Sequence, residues 1–249
     1  MPKKRKRSPA SSTGIRKKWL LRSLKLLAVL LIGLMLADLY WLSTIWPDWD
    51  ELATGPVPES SLIRQYRQRA NINSHLPDVR WKPVELNNIP YVLRRAVIIA
   101  EDGRFYQHNG VDFKAIKNAW DYNLSHMRVR YGASTISQQT VKNLFLSNER
   151  NLLRKWHELI LTWQMEQRLS KDRILELYLN IAQFGPGIFG VQAASYYYWG
   201  RPVWTINKRQ AAELAASLPS PTKNNPGRYT PAFAARVNSI SQRMSEAMQ

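Results

Sequence analysis

Pro90-Tyr-Val-Leu93-Arg-Arg-Ala96-Val97-Ile-Ile-Ala100-Glu101-Asp102-Gly-Arg-Phe105-Tyr-Gln-His108-Asn-Gly110 is the stretch on which the reading of this chain turns. Proline is suited to opening a helix, because the N–H it lacks has no partner in the first turn. Leu93, Ala96, Val97 and Ala100 then recur at helical spacing and give the segment one apolar face. The helix ends in two adjacent carboxylates, followed by an aromatic residue, a histidine and a glycine. A carboxylate at a helix C-terminus feels the negative end of the macrodipole, and partial burial acts in the same direction. Both favour a group that can take up a proton, as a base acting on a sugar hydroxyl must. The same residue types also suit a solvated helix end whose acids only cap a turn.

Working downstream, Asp112 is placed to cap a helix carrying Phe113, Ile116 and Trp120. Gly132-Ala-Ser134-Thr135-Ile-Ser-Gln138-Gln139-Thr-Val-Lys142-Asn143 leads a glycine into a helix that Ser134 caps and that runs to about Phe145. Free backbone N–H groups at such a start make a cradle for phosphate. Thr135, Gln138, Gln139 and Lys142 fall on one face, which offers donors and a cation; an amphipathic helix with a solvated polar face has the same pattern. Between Asn148 and Leu169, Leu152, Leu153, Trp156, Leu159, Ile160 and Trp163 form one apolar stripe. Arg154 and Glu158 form an i, i+4 pair opposite it, with Lys155 adjacent. That pair is either a surface salt bridge worth a few tenths of a kcal/mol or a grip on pyrophosphate. Further helices are predicted over 171–180, 187–198 and 208–218, and a last one from near Pro231. Val79–Leu86 alone looks strand-like, so the fold class is mainly α. His108, His126 and His157 lack metal-ligand spacing, and no protein-built metal site is expected, although carboxylates can recruit Mg²⁺ through substrate phosphates.

Upstream, residues 1–23 form a basic tail that includes Pro2-Lys3-Lys4-Arg5-Lys6-Arg7 and Arg16-Lys17-Lys18. Residues 24–46 are apolar apart from Lys25 and Asp38, and long enough to cross a bilayer as a helix. Trp41 and Trp46 lie at the far end, where interfacial anchors belong. Basic residues precede the segment and almost none directly follow it, so the positive-inside rule predicts a cytoplasmic N-terminus and an external remainder. The apolar run is long for a signal peptide and no convincing small-x-small cleavage site follows it, which favours an anchor over a removed signal. Asp38 is costly in lipid unless it is paired or near the interface. Residues 47–60 read as a linker and 61–249 as the working domain. The formal net charge of +18 calls for an anionic partner: nucleic acid, an anionic membrane or a phosphorylated substrate. The absence of cysteine excludes disulfides and thiol chemistry.

Order and spacing add what single motifs lack. Glu101-Asp102, Phe105 and His108-x-Gly110 are followed by Gly132-x-Ser134-Thr135-Ile136-x-Gln138-Gln139-x-x-Lys142-Asn143-Leu144. Arg154-Lys155-x-x-Glu158 comes next, then Lys171-Asp-Arg-Ile174-Leu175-Glu176-x-Tyr178-Leu179-Asn180, Gly185-x-Gly187-x-x-Gly190 and Pro219-Ser-Pro221. Over about residues 60–230 the sequence resembles the peptidoglycan glycosyltransferases of family 51, most of all their monofunctional, Gram-negative-type members. The resemblance implies a lysozyme-like helical lobe and a smaller, membrane-apposed jaw lobe, preceded here by one transmembrane helix. It implies transfer of a glycan from undecaprenyl pyrophosphate, on lipid II or a lipid-linked strand, to an acceptor sugar hydroxyl, inverting an α to a β-1,4 linkage. By position, Glu101 matches the general base and Glu158 the second glutamate on the pyrophosphate side. Thr135, Gln139, Lys142, Arg154 and Lys155 match residues around the donor phosphates, with Ser134, Gln138 and Asn143 in the same block; Asp102, Phe105 and His108 match positions that shape the site. Many members use a divalent cation, Mg²⁺ or Mn²⁺, at the substrate pyrophosphate, and no organic cofactor is implied. The implied location is the inner membrane, single-pass, with the catalytic domain in the periplasm and other cell-wall synthesis or division proteins as partners.

Bulky Trp156 and His157 inside the third motif, and the run Tyr196-Tyr-Tyr198-Trp199-Gly200-Arg201, depart from the family pattern. Ser-x-x-Lys and Lys-Thr-Gly, the paired motifs of a penicillin-binding transpeptidase, are not found together, and 249 residues are few for a second such domain. A glycan-cleaving, lysozyme-like enzyme would use the same kind of glutamate, but it has no need of the Gln/Lys/Arg block. A non-enzymatic scaffold has no need of either glutamate. A nucleic-acid binder would explain the basic tail but not the anchor, and nucleic acid is not the expected partner.

Overall fold

The computed structural model describes residues 12–125, 134–147 and 151–247, in two units, Met1–Pro47 and Asp48–Gln249. The first unit is one helix, α1 (Ser12–Thr44). Its portion Trp19–Thr44 is long and apolar enough to cross a membrane. The helix therefore begins inside the predicted basic tail, and its apolar portion starts five residues earlier than the sequence placed it.

The second unit is mainly helical. The predicted linker contains a short helix, α2 (Trp49–Thr54), capped by the Asp48 side chain, which accepts from the N–H groups of Asp50 and Glu51. Its carbonyls at Leu52 and Gly55 accept from Arg173 at 3.0 and 2.6 Å, which docks the segment onto the domain. Next come α3 (Ser61–Ile72) and β1 (Arg80–Trp81), the short core of the predicted strand. α4 (Tyr91–Glu101) follows, with Pro90 as its N-cap and Leu93, Ala96 and Val97 buried as the spacing predicts. α5 (Phe113–Ser125) starts after Asp112, whose Oδ1 accepts from Ala115 N as predicted. α6 (Ile136–Phe145), α7 (Leu152–Arg168) and α8 (Lys171–Ile181) complete the centre of the fold. β2 (Gln183–Gly185) and β3 (Ile188–Phe189) join β1 in a small sheet of order β1-β3-β2 that periodicity did not reveal. Three-residue and two-residue strands are too short to display alternation. α9 (Val191–Trp199), α10 (Lys208–Ser217) and α11 (Pro231–Glu246) end the chain. The helix predicted from 187 begins at Val191, because Gly187 and Gly190 both take positive φ in the turn before it.

Two packing groups position the site: α4 lies against α10 and α11, and α6 lies against α7 and α8. Asn180, fully buried at the end of α8, ties the second group to the sheet. Its side chain accepts from Val84 N and donates to Val84 O, both at 2.8 Å, and its carbonyl accepts from the Trp81 indole at 2.9 Å. Gly190 (φ 78°) packs so closely on that carbonyl that a Cβ would stand 2.6 Å from it, which accounts for both the asparagine and the glycine of the motif. Ser220-Pro-Thr-Lys223 spells Ser-x-x-Lys by letter, but it lies in turns after α10.

The orientation of α7 departs from the usual placement of an apolar stripe against the core. The apolar stripe lies mostly outward: Leu152 is 90 % exposed, Leu153, Trp156 and Trp163 are more than half exposed, and Leu159 and Ile160 are half-buried. The buried face is His157, Glu158, Leu161, Thr162 and Met165. Both sets obey helical spacing. The second packs inward, and there Arg154 and Lys155 of the same helix pair with Glu158, which lowers the penalty for burying a carboxylate. α5 likewise leaves Phe113, Ile116, Trp120 and Leu124 exposed.

Candidate active site

The ends of α4 and α7 and the face of α6 converge. Glu101, the last residue of α4, is the best-held carboxylate among them. Its Oε2 accepts from Gln139 Nε2 at 3.0 Å, and its Oε1 accepts from Arg236 at 3.0 Å. Gln139 is itself oriented by the Tyr178 hydroxyl, which donates to its Oε1 at 3.1 Å. Asp102, by contrast, is buried and structural. One of its oxygens lies 2.9 Å from His108 Nε2, and Oδ2 accepts from the Ile136 N–H at 3.0 Å. Phe105 is fully buried beneath His108, with the Lys171 ammonium 4.6 Å from its ring centroid. Asp102, Phe105 and His108 therefore build the wall that carries Glu101 and do not face the cavity.

The N-terminus of α6 corrects two expectations. Thr135, not Ser134, is the cap: its Oγ1 accepts from Gln138 N at 3.2 Å while Gln138 Oε1 accepts from Thr135 N at 3.0 Å, forming a capping box. The Thr135 hydroxyl also donates to Gly110 O at 2.6 Å. Among the N–H groups expected to cradle phosphate, those of Thr135, Ile136 and Gln138 are taken by the side chains of Gln138, Asp102 and Thr135, so side-chain donors are the groups that face the cavity. Gly132 and His126 lie outside the described residues. Thr135→Val removes a cap and a buried hydrogen bond together. The expected loss is about 1–2 kcal/mol, seen as a fall of about 2–8 °C in thermal midpoint. An unchanged midpoint with lost turnover would instead make the hydroxyl a substrate contact.

Ser134, Gln138, Gln139, Lys142, Arg154, Lys155 and Glu158 line a cavity of about 380 Å³. Arg154 donates to Glu158 Oε2 at 2.8 Å, and Lys155 pairs with Oε1. Glu158 is 3 % exposed, so the predicted surface bridge is a buried one. Lys142 stands between the two glutamates. Burial pushes its ammonium below the ordinary 10.5, while Glu158 and, more weakly, Glu101 act to raise it. A second cavity of about 200 Å³, lined in part by Asn143, Tyr178 and Gln183, shares Gln139 and Lys142 with the first. The site is therefore two hollows flanking one glutamine and one lysine. Three cations gather around a single carboxylate, a donor set that suits an oligoanion such as pyrophosphate.

It does not suit a resident divalent cation, which needs several free oxygen ligands. Both oxygens of Glu158 already face a cation. Asp102, His108 and Asp112 bring ligand atoms within 4.8 Å of one another. Their carboxylates are engaged in the loop, however, Asp102 by His108 and the Ile136 N–H and Asp112 by Ala115 N and by Arg104 at 3.5 Å, which leaves His108 Nδ1 without a hydrogen-bond partner.

A family model described as Transglycosylase matches residues 69–245, the whole of this arrangement included. The chain belongs to the transglycosylase family. Curated relatives named biosynthetic peptidoglycan transglycosylase agree. The protein of Nitrosomonas eutropha is 38% identical over 98% of this chain and 97% of its own. That of Bordetella avium is 39% identical over 91% and 94%, and that of Ralstonia nicotianae 40% identical over 86% and 92%. In this transglycosylase, Glu101, Gln139, Lys142, Arg154, Lys155 and Glu158 come together as the sequence motifs anticipate. Tyr178 appeared in a motif without a role, and Arg236 was not singled out at all. The signal for Arg236 was available: it and Arg243, seven residues apart, put two cations on one face of an otherwise amphipathic helix.

Proposed function

We propose that this enzyme polymerises lipid II into the glycan strands of peptidoglycan. The observation that carries the reading is the cation-lined cavity of Lys142, Arg154 and Lys155 beside a carboxylate, Glu101, held outside it by Gln139. Glu101 takes the proton from the acceptor sugar hydroxyl, whose oxygen forms the new bond to the donor's anomeric carbon. The bond from that carbon to undecaprenyl pyrophosphate breaks, and its electron pair leaves on the phosphate. Attack opposite the leaving group turns an α into a β-1,4 linkage. This geometry needs base and leaving-group sites apart, as Glu101 and Glu158 are on separate helices. Lys142, Arg154 and Lys155 stabilise the charge that develops on the pyrophosphate, and Glu158 keeps the latter two aimed. The Mg²⁺ or Mn²⁺ implied by the resemblance is assigned to the substrate's own phosphate oxygens, and no organic cofactor is invoked.

The substrate's long lipid requires a site at a bilayer. The exposed apolar faces of α5 and of α7 support a membrane-apposed jaw lobe. The basic tail before Trp19 supports a cytoplasmic N-terminus with the domain on the periplasmic side of the inner membrane. Other wall-synthesis or division proteins are the proposed partners there. The test is to supply detergent-solubilised protein with lipid II and, separately, with preformed glycan. Long strands from lipid II are expected; shortening of preformed glycan would show a hydrolase instead.

A further inference from the structure

The C-terminal helix reaches the reacting end of the site without lining the cavity. Arg236 donates to Glu101 Oε1 at 3.0 Å and lies 3.4 Å from Ala100 O. Two turns on, Arg243 donates to Ile99 O. The carbonyls of Ile99 and Ala100 belong to the last turn of α4, where backbone acceptors lack helical partners. Cations there also oppose the negative end of the helix dipole. The field expected to act one-sidedly on Glu101 is therefore met by two guanidinium groups from α11.

Arg243 and Arg236 differ in one respect: Arg243 bonds backbone, whereas Arg236 bonds the carboxylate. Glu101 closes its helix, where backbone and side chain are least constrained by the preceding turns. Its other oxygen is fixed from α6 by Gln139, backed by Tyr178 of α8. Among the described residues, Lys142 of α6 also interacts electrostatically with Glu101, while Asp102 beside it is engaged by His108 and Ile136 N, and Glu213 of α10, which packs on α4, is engaged by Arg209 and Tyr229. With one donor on each oxygen, the carboxylate plane is fixed and each oxygen keeps one lone-pair direction for an incoming proton.

We propose that Arg236 is a positioning residue for the general base, so that the C-terminal helix is part of the active site although none of it touches the cavity. The inference rests on the proposal that Glu101 is the base. Removing the arginine leaves Glu101 held on one side only, and misplacement of a reacting group by about 1 Å costs up to roughly 100-fold in rate. The lipid substrate is gripped elsewhere, so the loss falls on kcat and not on KM.

The experiment compares initial rates of lipid II polymerisation and thermal midpoints for the full chain in detergent: wild type, Arg236→Ala, Arg236→Lys, Arg243→Gln and Glu101→Gln. Arg236→Ala is expected to lose roughly 10- to 100-fold in kcat with KM within about threefold, and millimolar guanidinium is expected to restore part of that loss. Arg243→Gln is expected to lower the midpoint while keeping kcat within about threefold, since it removes only a backbone clamp. Wild-type kcat in Arg236→Ala, or a loss that tracks the midpoint and ignores guanidinium, overturns the proposal. If Arg236→Ala does not fold, Arg236→Lys decides: both contacts are made by one terminal guanidinium nitrogen, and the shorter lysine ends before that position, so a folded variant with wild-type kcat also overturns it. Glu101→Gln separates the two layers. If it is inactive, a failure at Arg236 leaves the base assignment standing; if it is active, the base assignment itself has failed.

Discussion

Glu101→Gln is expected to remove lipid II polymerisation by roughly 100- to 10,000-fold, the range over which a positioned base contributes, while the protein stays folded. The amide keeps the shape of the carboxylate. It can still bond to Gln139 after a flip of that side chain, and to Arg236 through its own oxygen. What it lacks is a lone pair basic enough to take the acceptor proton. The buried supports around it, Asp102 with His108 and Phe105, do not depend on the charge of Glu101, so the thermal midpoint should move by no more than a few degrees. Strand synthesis and thermal unfolding on the same preparation check this. A folded Glu101→Gln protein that polymerises at a tenth of the wild-type rate or better would take the base role away from Glu101.

Lys142→Ala is expected to lower kcat/KM for lipid II by roughly 10- to 100-fold, the size of a lost charge-assisted hydrogen bond, with little cost in stability. The sign of the stability effect follows from its titration. Burial makes the native ammonium hold its proton less tightly than the unfolded chain does, so the charge opposes folding at neutral pH. That opposition fades as pH rises toward 10.5, where the unfolded chain titrates. Removing the side chain therefore deletes a destabilising charge as well as some packing. The same shift makes activity fall on the alkaline side before an ordinary lysine would titrate. The fall should appear in kcat/KM, which reports the free enzyme, more than in kcat, because bound pyrophosphate holds the proton on. Lys142→Arg, whose charge persists, should move that limb upward. A pH series on the three proteins checks it; an alkaline limb shared by wild type and Lys142→Arg would show that Lys142 does not set it.

Some of this was open to inspection in the residues alone. Helical spacing located α4, α8 and α10 to within a residue or two, and Pro90 and Pro231 marked the starts of α4 and α11. The order and spacing of Glu101, Gln139, Lys142, Arg154 and Glu158 carried the family resemblance, which implied their roles, and the fold brings the five side chains together. A leaving pyrophosphate and an acceptor hydroxyl demand those types of side chain, and the apolar run before Asp48 supplies the anchor. Three further features were decided only by tertiary structure. α7 carries two stripes that both satisfy the period of a helix. Which one is buried is decided by the packing of α7 on α6, which takes in His157, Leu161 and Met165 together with Glu158. The N–H groups at the start of α6 are available to phosphate in sequence, but Asp102, thirty-four residues earlier, takes one of them in space. Arg236, one hundred and thirty-five residues beyond Glu101, meets its carboxylate only because α4 and α11 pack side by side. Local pattern determines which chemistry the chain can perform; long-range packing determines which of its polar groups are left free to perform it.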